Sequence, residues 1–111
     1  MRILTALIFC LLFFPAVNIS AAEMKSSLAC KGEALKESNK LLAYFRDNDS
    51  RIVIDDKVSP LNKITNPGNK LQHFDVLETW GYIYKGKYRM RFIFLPDCTL
   101  LGEEILEYTN P

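Results

Sequence analysis

Residues 71–96 place the strongest constraint on what this chain can fold into. The segment reads LQHFDVLETWGYIYKGKYRMRFIFLP and is rich in aromatic and β-branched side chains, which favour a pleated, half-buried strand. A two-residue loop at Lys85-Gly86 is predicted to join two strands into a β-hairpin. Alternation with a period of two then separates a mostly apolar face from a face of aromatic and basic side chains.

The two faces of this hairpin differ in chemical character. The predicted register opposes Ile83 with Tyr88, and these residues share the apolar inner face. Its other members are Leu77, Thr79, Gly81, Met90, Phe92 and Phe94. The opposite face, which we call the outer face, carries Trp80, Tyr82, Tyr84, Lys87, Arg89 and Arg91. A slip of one residue would send every side chain to the wrong face, so the pattern determines the faces.

The first 22 residues have the layout of a secretory signal peptide. Arg2 precedes an apolar stretch over Ile3–Val17, and small residues lead to a cleavage site after Ala22. The stretch is shorter than the ~20 residues that a spanning helix needs, and Pro15 weakens it further. We therefore expect an exported mature chain, periplasmic or secreted, that begins at Glu23 and keeps no stable membrane anchor.

The charge balance limits the class of partner. The chain has 14 Lys and Arg against 13 Asp and Glu, and Arg2 is predicted to leave with the signal peptide. The mature domain is then close to neutral. A neutral balance argues against nucleic acid or an anionic membrane surface as the partner.

Two of the three cysteines are predicted to form a disulfide. Cys10 lies in the signal peptide, so Cys30 and Cys98 are the remaining thiols in an oxidising compartment, where pairing is favoured. Their wide spacing lacks the C-x-x-C pattern of redox proteins, which indicates a structural bridge. Lipidation of Cys30 is the alternative, and its distance from the apolar stretch disfavours it.

The remaining segments predict one helix and further strands. A helix over residues 30–47 places one stripe of mostly apolar residues towards a core. This stripe consists of Ala34, Leu35, Ser38, Leu41, Leu42 and Phe45. A short strand is expected at 51–54, an irregular loop with a type II turn at 59–70, and a last strand at 99–108.

These elements predict an α+β fold in a single domain over residues 23–111. One N-terminal amphipathic helix packs on a meandering antiparallel sheet of about four strands, because each needs an apolar face covered. The disulfide then links the start of the helix to the turn before the last strand.

Few residues of the mature chain suggest catalysis. His73 and Asp75 are two positions apart on one strand face and form the candidate base and orienting carboxylate of a small hydrolase. No nucleophile motif accompanies them, and the acidic residues between positions 47 and 56 lack the spacing of a calcium loop. We therefore predict a protein that is not an enzyme and that has no metal site and no cofactor.

The outer face provides the leading functional hypothesis. Aromatic and Arg side chains are enriched at interface hot spots, so its six residues are the candidate binding residues for another envelope or extracellular protein. An inhibitor, an immunity protein or an accessory subunit would fit this description. Cross-strand pairing of Trp80 with Arg91 and of Tyr82 with Arg89 is the structural alternative. A small-molecule carrier with a cavity under the helix is the functional alternative.

Removal of the disulfide should destabilise the domain by about 4 kcal/mol, because the bridge closes a loop of nearly the whole domain and restricts the unfolded chain. The measurement is denaturant unfolding of the oxidised protein and of the Cys30→Ser/Cys98→Ser variant. Two reactive thiols in the unreduced, denatured mature protein would contradict the pairing.

Overall fold

The computed structural model describes residues 24–108, which form one helix and a six-stranded sheet. The elements are α1 Lys31–Phe45, β1 Ile52–Ile54, β2 Ser59–Pro60, β3 Ile64–Asn66, β4 Asn69–Ile83, β5 Gly86–Phe94 and β6 Leu100–Tyr108. All strand pairs are antiparallel, so the α+β class is confirmed. The signal peptide predicted over residues 1–22 lies outside the described residues.

Strand β4 lies at the centre of the sheet. One of its edges pairs in turn with β3, β2 and β1, and its other edge pairs with β5, which pairs with β6. The prediction of about four strands is therefore wrong. The extra strands are β2 and β3, with two and three residues, in a segment that we predicted to be an irregular loop. Strands this short have no hydrophobic period to detect.

The helix is not N-terminal, which corrects a second prediction. Described residues precede it and form a short pairing with the 61–63 segment. Ser26 N donates a hydrogen bond to Leu61 O at 2.8 Å, and Lys63 N donates to Met24 O at 2.7 Å. The helix begins at Lys31 and ends at Phe45, inside the predicted limits of 30 and 47.

The predicted disulfide is confirmed. Cys30 is bonded to Cys98, with their Cα atoms 5.4 Å apart. Cys30 occupies the N-cap position of α1 and is buried, whereas Cys98 lies in the turn between β5 and β6. The bridge therefore links the start of the helix to the turn between β5 and β6.

The hairpin turn lies one position earlier than we predicted. Ile83 pairs with Gly86, so the loop residues are Tyr84 and Lys85, and Gly81 opposes Tyr88. A register shift of two residues keeps every side chain on its face, so the alternation could not detect it. Tyr84 has φ 52°, a left-handed conformation that costs a non-glycine residue ~1–2 kcal/mol.

The second turn, at residues 66–69, also differs from the prediction. A type II turn needs a positive φ at its third residue, Gly68, but no glycine of residues 24–108 has one. The side chain of Asn66 stabilises the turn instead, because its Oδ1 accepts a hydrogen bond from Gly68 N at 2.9 Å.

The inner face of the hairpin forms the core, as the alternation predicted. Its fully buried members are Leu77, Thr79, Tyr88, Met90, Phe92 and Phe94. The helix covers them with Ala34, Ser38 and Leu42, which are fully buried. Ser38 Oγ donates to Ala34 O at 2.7 Å and lies 2.5 Å from Thr79 Oγ1. Since a hydroxyl has one proton, Thr79 is the donor to Ser38.

At Gly81 a helix side chain packs against the backbone of the sheet. A Cβ added there would lie 2.7 Å from Leu42 Cδ2 and 3.1 Å from side-chain carbons of both Ile54 and Met90. A methyl group there would force these buried side chains to shift. The absence of a side chain at Gly81 therefore determines how near α1 packs.

Gly81→Ala should destabilise the protein by about 1–3 kcal/mol, the usual cost of overpacking a core. The control is Gly32→Ala in α1, where an added Cβ has no neighbour within 4 Å. We expect Gly32→Ala to be neutral or stabilising by up to about 1 kcal/mol, since Ala favours a helix. Denaturant unfolding measures both, and equal stabilities for the two variants would refute the close approach.

Candidate interaction surface

The outer face of the sheet lies opposite α1. Within residues 24–108, the one helix packs on the inner face and every strand belongs to the sheet, so no second layer covers the outer face. Large apolar side chains are exposed there, including Val53 at 61% and Leu106 at 47%. Val53 lies beside Tyr82 on β1 and Leu106 lies beside Arg89 on β6, so the two apolar side chains flank the centre of this face.

An ion-pair cluster occupies the middle of the outer face. Arg91 Nε donates to Glu78 Oε2 at 2.9 Å, and Arg89 Nε lies 3.8 Å from the same oxygen. Glu104 of β6 lies 3.7 Å from Arg89 Nη2 and 3.9 Å from Arg91 Nη1. Both predicted arginines are therefore neutralised by carboxylates from the neighbouring strands, which gives them a structural role in holding β4, β5 and β6 together.

Aromatic and basic side chains lie between this cluster and the hairpin turn. The rings of Trp80 and Tyr108 have centroids 5.4 Å apart, and Lys87 Nζ lies 4.5 Å from the Trp80 ring. Arg89 Nη1 donates to the Tyr108 hydroxyl at 3.2 Å. Tyr82 is half-buried on the same face. Trp80, Tyr82 and Lys87 thus form a contiguous surface, as the hairpin pattern indicated.

The shifted register changes the cross-strand pairs that we predicted. Trp80 opposes Arg89 rather than Arg91, and Tyr82 opposes Lys87 rather than Arg89. Tyr84 is separated from the other candidates because it lies in the turn, where it is 75% exposed. The Arg51 guanidinium carbon lies 5.9 Å from its ring centroid.

A depression at the other end of the outer face was not predicted. It has a volume of about 390 Å³. Its lining residues come from four strands and are Ile64, Val76, Arg91, Ile93, Gly102, Glu103 and Glu104. Gly102 was the one signal in the sequence, because a glycine inside a strand often marks a bulge or the close approach of another group.

His73 and Asp75 bond to different partners. His73 Nδ1 lies 3.1 Å from Thr65 Oγ1, whereas Asp75 Oδ1 accepts hydrogen bonds from Lys63 Nζ at 2.6 Å and from Ser27 N at 3.0 Å. A surface depression of about 500 Å³ includes His73 and Lys63 in its lining but not Asp75. The geometry makes Asp75 an anchor between β4, the segment before α1 and the segment before β3.

Burial is the largest influence on the Asp75 carboxyl, and it raises the pKa of that group. The hydrogen bonds from Lys63 and Ser27, with the charge of Lys63, outweigh burial and place the pKa of Asp75 below its ordinary value. A depressed folded-state pKa means that the carboxylate stabilises the fold above the unfolded-state pKa of about 3.9. That contribution is lost as the pH falls through the folded-state pKa.

Comparisons of the chain with protein-family models, with curated proteins and with solved structures find no match. The helix in the described part of the chain is too short and too polar to cross a bilayer. Residues 24–108 contain no group of three or more His, Cys, Asp or Glu side chains placed to hold a metal ion.

Asp75→Asn should lower the free energy of unfolding by about 2 kcal/mol at pH 7, the usual worth of hydrogen bonds to a charged group. The difference from wild type should shrink as the pH falls below about 4, because wild type then loses the same carboxylate. Denaturant unfolding between pH 2 and 7 measures the difference in unfolding free energy between the variant and wild type. The control is Asp56→Asn, because Asp56 is exposed. A difference that stays constant over this range would contradict the role of the charge.

Proposed function

We propose that this protein is an exported, non-catalytic binding protein whose outer sheet face docks on a partner protein in the envelope or outside the cell. The observation that carries the proposal is the uncovered outer face itself. An antiparallel sheet in a two-layer domain commonly leaves one face in water, and that face then carries mostly polar side chains. Here Trp80, Tyr82 and Lys87 lie beside exposed apolar side chains with no second layer over them within residues 24–108.

The disulfide supports the exported location. Bridges persist in oxidising compartments and are rare in the cytosol, so the Cys30–Cys98 bond fits the signal peptide expected at residues 1–22. With that segment removed, the remaining domain carries nearly equal numbers of positive and negative charges. A partner that binds such a domain recognises shape and local chemistry rather than bulk charge.

The composition of the face favours a protein as the partner. Tyr and Trp present large, rigid contact areas at a low cost in conformational entropy, which is why they dominate protein interfaces. Arg89 and Arg91 are already paired with Glu78 and Glu104, so they contribute orientation and rim contacts more than unpaired charge. The binding energy is then expected from the aromatic side chains.

The alternative functions have weaker support. A small-molecule carrier needs a cavity under the helix, but Ser38 and Leu42 pack directly against Thr79 and the position of Gly81. A hydrolase that uses His73 and Asp75 needs the two side chains to act together, whereas they bond to separate partners.

Tyr82→Ala/Lys87→Glu should reduce binding to the partner by at least about 30-fold, the effect of losing a hot-spot residue. The control is Lys36→Glu/Tyr44→Ala on the solvent side of α1, where Tyr44 is 85% exposed. The immobilised mature protein captures partners from the native envelope extract, and quantitative mass spectrometry compares wild type with both variants.

Three results are distinguished by this experiment. A protein captured equally by wild type and the helix control, but not by the outer-face variant, supports the proposal. Equal capture by all three forms, or capture of no protein by wild type, contradicts it. Circular dichroism of each variant confirms that a loss of capture does not come from a loss of the fold.

A further inference from the structure

The fold does not explain the glycine at position 102 of β6. An added Cβ would meet only Ile93 Cδ1, at 3.7 Å, which is an ordinary contact. Its φ does not lie in the left-handed region that favours glycine. The strand glycine Gly81, in contrast, is required by Leu42 at 2.7 Å. Glycine weakens a strand, so a position that tolerates a side chain but lacks one indicates another constraint.

The β-bulge next to this position does not supply that constraint. The pairing of β5 with β6 shifts between Ile93 and Phe94, so that Ile93 opposes Gly102 and Phe94 opposes Leu100. A bulge needs glycine when one residue adopts the left-handed conformation. Gly102 does not adopt it, so other residues would serve the bulge equally well.

Gly102 lines the depression of about 390 Å³ on the outer face, where a side chain at this position would take up part of the space. Val76 and Ile93 contribute apolar surface to it, and Ile64 lies at its side with 41% of its surface exposed. In sheets, a glycine on one strand is commonly covered by an aromatic side chain from the neighbouring strand. Here the neighbour on the β5 side is Ile93, and no strand among residues 24–108 pairs with the other side of β6.

Strand β6 is the edge of the sheet. It is the last strand in the order β1-β4-β5-β6, and its nine residues pair on one side with β5 only, within residues 24–108. A long unpaired edge presents free N–H and C=O groups and is a template for an additional strand. The depression at Gly102 therefore borders an open backbone edge.

The charges of β6 are all acidic. The strand carries Glu103, Glu104 and Glu107 and no basic residue. Glu104 and Glu107 have ion pairs with arginines, whereas Glu103 is exposed and has no ion pair within residues 24–108. A second copy of this strand would bring acidic residues against acidic residues, so the complementary occupant is a basic strand.

We infer that an extended segment of the partner protein adds to β6 as a strand, places an apolar side chain over Gly102 and sets basic side chains against Glu103 and Glu104. This inference rests on the proposed function, since it assigns the same partner a docking mode. Backbone hydrogen bonds along the edge supply affinity, and the Gly102 depression with the acidic residues supplies specificity.

A blocked peptide of sequence TKKFTVT is the probe, because it presents Phe opposite Gly102 and Lys opposite Glu103 and Glu104 in an antiparallel pairing. We expect saturable amide shifts centred on β6 in an NMR titration of the mature protein. Replacing the Phe by Ala, or both Lys by Glu, should weaken binding at least tenfold. The inference is overturned if neither the loss of the Phe nor the loss of the two Lys weakens binding. It is also overturned if the peptide does not bind at millimolar concentration.

Gly102→Val provides the matched test on the protein. Val would occupy the part of the depression at position 102 and favours a strand, so the variant should fold as well as wild type while losing at least tenfold in peptide affinity. Gly68→Ala is the control, because an added Cβ there makes only an ordinary contact at 3.5 Å. Equal peptide affinity of Gly102→Val and wild type would refute the role of the depression.

Partner capture separates this inference from the function on which it rests. If neither the Tyr82→Ala/Lys87→Glu variant nor the Gly102→Val variant captures the partner, the binding function and the strand-addition mode are both supported. If only the first variant loses it, the outer face binds the partner but the strand-addition mode is wrong. If neither loses it, both proposals are wrong, and the acidic residues of β6 serve only to guard an edge strand against aggregation.

Discussion

The structure depends on backbone pairing along both edges of β4. This strand has fifteen residues, and a buried strand cannot leave its N–H and C=O groups without partners. Strand β5 pairs with the backbone along one edge of β4. Along the other edge, β1, β2 and β3 pair with successive parts of β4. The chain from residue 52 to residue 66 therefore follows β4 closely, although it contains Pro60 and little periodic pattern.

The position of the helix follows from one small contact area on this strand. Gly81 lacks a side chain, so Leu42 reaches the backbone. One turn earlier, Thr79 donates a hydrogen bond to Ser38, which donates to Ala34 O. A buried hydroxyl pair is tolerated because its members are hydrogen-bonded. The helix therefore packs on the inner face. The disulfide between Cys30 and Cys98 links the start of the helix to the turn before β6. Nothing else in the described part of the chain is available to cover the outer face.

The uncovered face combines three kinds of surface at different distances from the turn. Aromatic rings and Lys87 lie nearest the turn, the Glu78–Arg91 ion pair lies in the middle, and the Gly102 depression lies furthest away. The ion pairs explain how arginines can be half-buried in a sheet, because each has a carboxylate within 4 Å. They also reduce the value of those arginines as free binding groups. The aromatic and apolar regions on either side are therefore better candidates for binding energy.

The sequence by itself determined which side chains face the core. Alternation in residues 77–94 buries one face of the hairpin, and a slip of one residue would expose apolar surface. The helix stripe from Ala34 to Phe45 is buried at Ala34, Ser38 and Leu42, whereas its last member, Phe45, is 44% exposed. The disulfide was predictable because two cysteines remain after the predicted signal peptide is set aside. The register of the hairpin was not, since a shift of two residues preserves both faces. The depression was not predictable either, because Ile64, Val76, Ile93 and Gly102 are far apart in sequence and only the order of strands brings them together.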